Sequence, residues 1–581
     1  MVRSSTWIWP RIPQRLSAKA NGDTQNDEPT VRTLVELADH NAVYNPEHMF
    51  CIQQVQTKSG LQFVQITYRL LKAAVYLYSR RILQQFRDLA IPVDNDFQSD
   101  RQGPIAILLE GDVDVLIYTL AIQSLHRPVL LLSSRLNPNA MSLLLRQTRA
   151  AAIIVSESTV HTAKIALDTL SLQGERGIQV LTSPGLVSAL DSINAANPKG
   201  ALYNRPKDFD DLNPNALIMH SSGTTGLPKA IYHCHRWTLL CGGVEDAESS
   251  ITQGVLALTA SVFHAYGFLI STRSLATGLV VCLPIPSAKK IDGKARLEWL
   301  RACQADHFAT VPSVLQDLSQ LPNNEGLQAL ANLKYVAYSG CTMKGSLGDA
   351  CVAAGVRLSP IYGSTEAGVL SAFTYYNSAH HNWRYFKLRQ DVSVYAKPSS
   401  IDQPDEAIHK LVVNVPGWTA PFELQDDIRA SDTNPGHFTV CGRLDDVIVL
   451  SHGQNVMPHV IETALTDSSL IKAAVAFGSE QPELGALVIP SSPVRSEQMD
   501  TFTDEIFSLV KGISNSTRED IHYKEALVVL PHDAELEATE KGSIKRREML
   551  QRYQKQIEEA YEKIRMAECQ RTDGLSYTKL A

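Results

Sequence analysis

The sequence predicts an α/β protein with parallel sheets covered on both faces, followed by a second region of different texture. Three observations carry that prediction. Short apolar runs alternate with helical patterns from Thr33 to about Val440. A loop rich in glycines and hydroxyls, His220 to Lys229, directly follows one of those runs. After Cys441 the text changes to short strands and amphipathic helices, which sets a boundary near Gly442 to Asp446. With 581 residues the chain has room for about two to four domains.

The elements follow in order. Pro104 to Leu109, Arg127 to Leu132 and Ala151 to Val155 are short and almost wholly apolar, as strands buried on both faces are. Asp112 to Leu125 and Asn139 to Thr148 between them read as helices. A second cycle of strands runs through Val255 to Leu258, Leu279 to Leu283, Phe308 to Val311 and Leu333 to Tyr338. Strand and helix in alternation favour a parallel sheet. Near the end, Gln551 to Ile564 is a charged helical pattern.

Composition excludes several classes. Hydrophobic residues are 44% and charged residues 20%, so the chain can bury large cores. Lys plus Arg number 54 against 61 Asp plus Glu, a formal charge of -7 that argues against a nucleic-acid partner. The nine cysteines are odd in number and form no CxxC pair, which fits a reducing, cytoplasmic location. No apolar run reaches the roughly 18 residues of a membrane span. The best stretch, Pro104 to Leu120, is interrupted by Glu110, Asp112 and Asp114. Met1 to Gly22 is basic and acid-free, and residues 1–32 are expected to be a disordered tail. Mitochondrial import is the alternative, opposed by Pro10 and Pro13, which break a helix.

The most informative stretch is His220-Ser221-Ser222-Gly223-Thr224-Thr225-Gly226-Leu227-Pro228-Lys229. Glycines let backbone N–H groups point at anionic oxygens, hydroxyls add donors, and Lys229 adds a cation. The composition suits a polyphosphate, although the spacing is not GxxxxGK[ST]. His233-Cys234-His235 lacks other clustered ligands, so a structural role is expected there rather than zinc.

The loop and the motifs after it resemble the adenylate-forming superfamily of acyl-CoA synthetases, luciferases and peptide-synthetase adenylation domains. The resemblance covers roughly Thr33 to Tyr561. It rests on Phe263-His264-Ala265-Tyr266-Gly267, Tyr338-Ser339-Gly340-Cys341, Tyr362-Gly363-Ser364-Thr365-Glu366 and Gly442-Arg443-Leu444-Asp445-Asp446, in the family's order. The wording is most similar to the fungal, carboxylate-activating reductase-type branch. It implies a large N-terminal domain of αβα-layered sheets with a small β-subdomain over residues 33–441. A smaller, mobile α+β C-terminal domain would follow over residues 442–565, then a tail over 566–581.

The resemblance also implies roles. Ser221, Ser222, Gly223, Thr224, Thr225, Gly226 and Lys229 would hold the β- and γ-phosphates of ATP. Ser339, Gly340, Cys341, Tyr362, Gly363 and Ser364 would line the adenine side. Thr365 would touch the α-phosphate, and Glu366 would ligate Mg²⁺. Asp426 is preferred over Asp427 for the ribose, although the family's Thr-Gly is missing before it. Arg443 would reach the ribose or phosphate, and Asp445 would be the pivot between domains. Ser543 stands where the family's catalytic lysine is expected, so Lys541 is the candidate and Lys545 the runner-up. His264 would either close the acyl pocket or pack in the core.

Ser261 to Thr272 contains no acid to hold an α-ammonium, so the substrate is read as a carboxylic acid without one. The implied reaction makes an acyl-AMP and passes the acyl group to a thiol, with CoA as the expected co-substrate. A carrier protein in trans, an amine acceptor, or a non-catalytic nucleotide-binding protein are the alternatives. No carrier serine and no NADPH-type GxGxxG follow Arg546 in this sequence, so reduction is not expected of it.

Overall fold

The computed structural model describes residues 31–88, 103–174, 177–222, 228–242, 254–286, 292–372, 382–398, 408–443, 448–451, 455–456, 458–511, 521–538 and 544–576. The fold is mixed α/β, with a large N-terminal sheet region and a smaller C-terminal one. Two large sheets form the first part. One has six strands, ordered Gln179–Thr182, Ala152–Val155, Ile105–Leu108, Val129–Leu131, Leu217–Ser222 and Pro228–His233. All its neighbours are parallel except the last pair. The other has seven strands, with Leu358–Pro360, Tyr335–Tyr338, His307–Thr310, Val255–Leu258 and Val280–Leu283 parallel. Met49–Thr57 joins it in parallel and turns back as Gly60–Thr67 at the edge.

The short strands are buried along their whole length, as their unbroken apolar text requires when helices cover both faces. Local chemistry marks the helix starts. Asp112 accepts from the Asp114 N–H at the head of Val113–Ser124. Asn137 accepts from Ala140, and Pro138 occupies the first helical position of Pro138–Thr148. The helix Ala265–Thr277 is almost entirely buried and ends on Gly278 at φ +75°.

The expected alternation of strand and helix holds up to Leu358–Pro360 but does not continue to Val440. From Phe386 to Arg443 the described residues form only antiparallel strands, in a five-stranded sheet. The physical reason lies in sequences such as Phe422–Ala430, whose exposed and buried residues mix. Such a strand suits an open sheet with one wet face, not a strand buried between helices. The C-terminal pattern also differs in detail. Arg546–Arg552 and Gln554–Ser576 are two helices broken at Tyr553, not one running from Gln551. The second buries Ala560, Tyr561 and Ile564, spaced as one helical face requires.

The hydrophobic cores divide in the same way. The largest cluster runs from Val31 to Ile428. A separate one runs from Ile448 to Ile564 around the sheet Ile471–Phe477, Gly485–Pro490 and Leu527–Val529. The two parts touch where Lys344 Nζ donates to the Lys472 carbonyl at 3.0 Å. Among the described residues no helix is long and apolar enough to cross a membrane.

His233 and Cys234 are buried in the core, with His235 beside them. Among the described residues no three His, Cys, Asp or Glu side chains gather as ligands. His233 is fully buried and stacks on Trp237 with ring centroids 3.5 Å apart. Burial holds its pKa down to about 3, and that of His235 down to about 4. The unfolded chain therefore takes up protons below about pH 6.5 that the folded chain refuses. Stability should be full above that pH and fall as the pH drops toward 4. The His233 contribution between pH 7 and pH 5 is about 2 kcal/mol. Urea unfolding at both pH values checks this: the wild type should lose more stability on acidification than His233→Leu, and parallel losses would contradict it.

Candidate active site

The site forms where carboxyl ends of strands from both large sheets meet, the usual place for ligands in parallel α/β folds. From the six-stranded sheet, Leu217–Ser222 and Pro228–His233 run antiparallel, with Ser221 opposite Lys229. The lysine side chain is exposed there. Gly223, Thr224, Thr225 and Gly226 lie outside the described residues, between these two strands. At the foot of the pair, His220 Nε2 lies 3.2 Å from the Ser133 N–H. A backbone N–H can only donate, so Nε2 is the acceptor and the ring proton sits on Nδ1.

His220 faces His264 edge-on, at 6.2 Å between centroids. His264 precedes the buried helix Ala265–Thr277. The glycine two residues into that helix is a steric requirement, since a Cβ on Gly267 would lie 2.2 Å from the Ser261 carbonyl. Sequence reasoning gave His220 no role. Its place one residue before the hydroxyl-rich loop was the available signal.

From the seven-stranded sheet, Tyr335–Tyr338 ends in Ser339-Gly340-Cys341. The Ser339 N–H donates to Thr310 on the neighbouring strand at 3.2 Å, and Gly340 turns the chain at φ +97°. The next strand, Leu358–Pro360, leads into Tyr362. The Tyr362 ring stacks on Phe386 with centroids 4.4 Å apart and planes 13° from parallel. Its hydroxyl donates to Asp426 Oδ2 at 2.8 Å. Asp426 pairs in register with Arg443 on the adjacent strand. Asp427 instead forms a buried ion pair with Lys410 at 3.1 Å. The two acids thus have different partners, and only Asp426 joins the tyrosine.

Thr365 and Glu366 occupy the tip of a short hairpin in which Gly363 pairs with Val369 and Ser364 with Gly368. Both tip residues are half-buried. The Ser364 hydroxyl accepts from the Ala367 N–H at 3.1 Å and so tightens the turn. A Cβ on Gly363 would lie 2.1 Å from the Gly368 carbonyl, so only glycine permits this crossing. The Thr365 backbone adjoins the neutral ring of His233.

Asp445 and Lys541 lie outside the described residues. Lys545 is exposed, and its N–H donates to the Glu537 carbonyl at 2.7 Å. Ala538 and Ile544 bridge across residues 539–543. The following Arg546 grips both oxygens of Glu462 at 2.6 and 2.9 Å, which anchors the chain just after that stretch.

Comparison with known proteins accounts for this arrangement. Residues 97–396 match the AMP-binding enzyme model, and residues 445–565 match the AMP-binding enzyme C-terminal domain. The chain belongs to the AMP-binding enzyme family. It is 32% identical over 96% of its length to the non-canonical non-ribosomal peptide synthetase ascB of Acremonium egyptiacum, and covers 50% of that protein. It is 30% identical over 94% of its length to an adenylate-forming reductase of Aspergillus terreus, covering 51% of it. The chain therefore spans about half the length of the curated relatives it matches.

Solved structures share the fold. A benzoate CoA ligase from Burkholderia xenovorans superposes with a TM-score of 0.67 at 16% identity, over 89% of this chain and 99% of that one. The A domain of a carboxylic acid reductase from Segniliparus rugosus gives 0.66 at 15%, over 92% and 94%.

The different partners of the two adjacent acids make a test. Asp426→Asn should weaken ATP binding while leaving the melting temperature near that of the wild type. Asp427→Asn should do the reverse, because it leaves the buried Lys410 cation uncompensated. Calorimetric ATP titration and thermal melts of both variants check this. Equal losses of ATP affinity would remove the distinction.

Proposed function

We propose that this chain activates a carboxylic acid as its acyl-AMP and passes the acyl group to a thiol. The single observation that best supports the reading is the adjacency of two features. A tyrosine hydrogen-bonded to Asp426 forms a nucleoside seat, and the Thr365–Glu366 turn next to it suits phosphate. One acid oxygen attacks the α-phosphorus, the bond from that phosphorus to its bridging oxygen breaks, and pyrophosphate leaves. The thiol sulfur then attacks the carbonyl carbon, its proton is lost to solvent, and AMP departs.

Both reactants of the first step are anions, so charge neutralisation and alignment dominate its cost. Lys229 and the residues Ser221 to Gly226 hold the distal phosphates in this reading. Asp426 accepts from the ribose hydroxyls, Tyr362 packs the base, and Thr365 donates to the α-phosphate. Ser339, Gly340, Cys341, Gly363 and Ser364 border the nucleoside, with Arg443 reaching the ribose or phosphate. Glu366 fits Mg²⁺ as a single carboxylate ligand whose other positions would be phosphate oxygens and water, the usual way this ion binds. Bound there, Mg²⁺ would neutralise phosphate charge.

The acid is proposed to lack an α-amino group. Arg273 is the only charged residue of the helix Ala265–Thr277 and is itself buried, a poor neighbour for an ammonium. CoA is the proposed thiol. A carrier-bound phosphopantetheine is the second reading, favoured by relatives named as a peptide synthetase and as reductases. The C-terminal part is proposed to pivot at Asp445 between the two steps.

A panel of carboxylic acids tests the reading through ATP–pyrophosphate exchange, followed by AMP release with and without CoA. Exchange that depends on an acid and on Mg²⁺ is expected. Glu366→Ala should lower it at least ~100-fold, the scale of several kcal/mol of lost transition-state stabilisation. Exchange without AMP release on adding CoA would move the acceptor to a carrier. No exchange with any acid would remove the enzymatic reading.

The lysine assignment has its own test. Lys541→Ala should slow adenylation by roughly 100-fold, as the loss of one electrostatic donor does, and spare thiol transfer from supplied acyl-adenylate. Lys545→Ala, an exposed charge, should change little. A dead Lys545 variant beside an active Lys541 variant would reverse the assignment.

A further inference from the structure

We propose that Arg389 is a positioning residue that clamps the Thr365–Glu366 turn to the helix His235–Gly242. The inference rests on reading that turn as the phosphate and metal contact. Arg389 and Asp391 are each only 6% exposed, and the guanidinium joins three segments. Its Nε donates to Asp391 Oδ1 at 2.7 Å, and its Nη2 donates to Asp391 Oδ2. Nη2 also donates to the Leu240 carbonyl at 2.6 Å, and Nη1 lies 3.4 Å from the Val369 carbonyl.

Leu240 is in the last turn of the helix, where carbonyls have no partner within the helix itself. Val369 is in the return strand of the hairpin. The Arg389 backbone N–H adds a bond to Leu370 at 2.9 Å. A planar fork of five donors can serve a carboxylate and two carbonyls at once, which a lysine cannot.

The helix is also the seat of the hairpin. Gly368 has φ +79°, and a Cβ there would lie 2.3 Å from Cys241 Sγ and 3.2 Å from Trp237. The hairpin lies flat on these two side chains, and Trp237 in turn stacks on His233 beside Thr365. The hairpin is short: two ladder pairs, the Ser364–Ala367 bond at its tip, and Tyr362 bonded to Leu370 and Ser371 at its base. A ribbon that short does not fix a carboxylate by itself, so its precision has to come from the clamp and the seat.

The test reads metal binding directly. Mn²⁺ is titrated into the full chain with α,β-methylene-ATP present and followed by electron paramagnetic resonance. Arg389→Met/Asp391→Leu removes both charges together, so no unpaired buried carboxylate remains. The folded double variant should bind Mn²⁺ about tenfold or more weakly, the usual effect of losing a group that orients a metal ligand. Its affinity for the analogue without metal should fall much less, because Thr365 supplies only one of several phosphate contacts. Wild-type Mn²⁺ affinity in the folded variant overturns the proposal.

Should that variant not melt cooperatively, Gly368→Ala probes the same seat. It should weaken Mn²⁺, and adding Cys241→Ala should recover part of the loss by opening the 2.3 Å contact, the strain of a side chain at φ +79° remaining. No weakening, or no recovery at all, overturns the proposal. A wild type that binds no Mn²⁺ with the analogue would instead remove Glu366 as a metal ligand, and this inference with it.

Discussion

The close approach of Gly368 to Trp237 and Cys241 decides where the Thr365–Glu366 turn sits. That approach is possible only without a side chain and only at a positive φ, and both conditions are met by glycine. The helix beneath follows directly from the strand that carries Lys229. The strand that carries Lys229 and the Thr365–Glu366 turn, more than 130 residues apart in sequence, are thus mounted on one packed unit. The buried His233, its pKa held down to about 3 by burial, belongs to the same unit.

Two buried ion pairs surround this arrangement, Arg389–Asp391 and Lys410–Asp427. Desolvating four charges is costly, and well-packed apolar residues would stabilise the fold at least as well. Their value lies in geometry. Lys410 takes Asp427 to one side of the strand Phe422–Ala430, while Asp426 meets the Tyr362 hydroxyl on the other. Period-two alternation gives two adjacent, chemically identical acids different partners, Lys410 for Asp427 and the Tyr362 hydroxyl for Asp426.

The fold was legible in the sequence wherever a strand was wholly apolar. Ala152–Val155 and Val255–Leu258 coincide with their apolar runs to within a residue, because burial on both faces leaves no polar position. The antiparallel sheet after Phe386 was not legible as such from periodicity, since strands with one wet face resemble loops or helices in composition. The break at Tyr553 had no glycine or proline to announce it. In the site, contiguous motifs were readable because their chemistry is local: the glycine and hydroxyl loop, and the turn from Tyr362 to Glu366. The tyrosine–aspartate bond and the Arg389 clamp were not, because each joins residues that only the fold brings together. Asp426 is preferred on its resemblance to the family's ribose-side acid and its distance to Gly442-Arg443; the structure adds the bond it accepts from Tyr362.

The proposed attack of a carboxylate on the α-phosphorus of ATP leaves a trace in oxygen transfer. An accepted acid is labelled with ¹⁸O in its carboxylate and turned over with ATP and the thiol acceptor, and the products are examined by ³¹P NMR. One ¹⁸O is expected in the AMP phosphate, because the acid oxygen that bonds phosphorus leaves with AMP. Label in inorganic phosphate together with ADP, or AMP free of label, would contradict it.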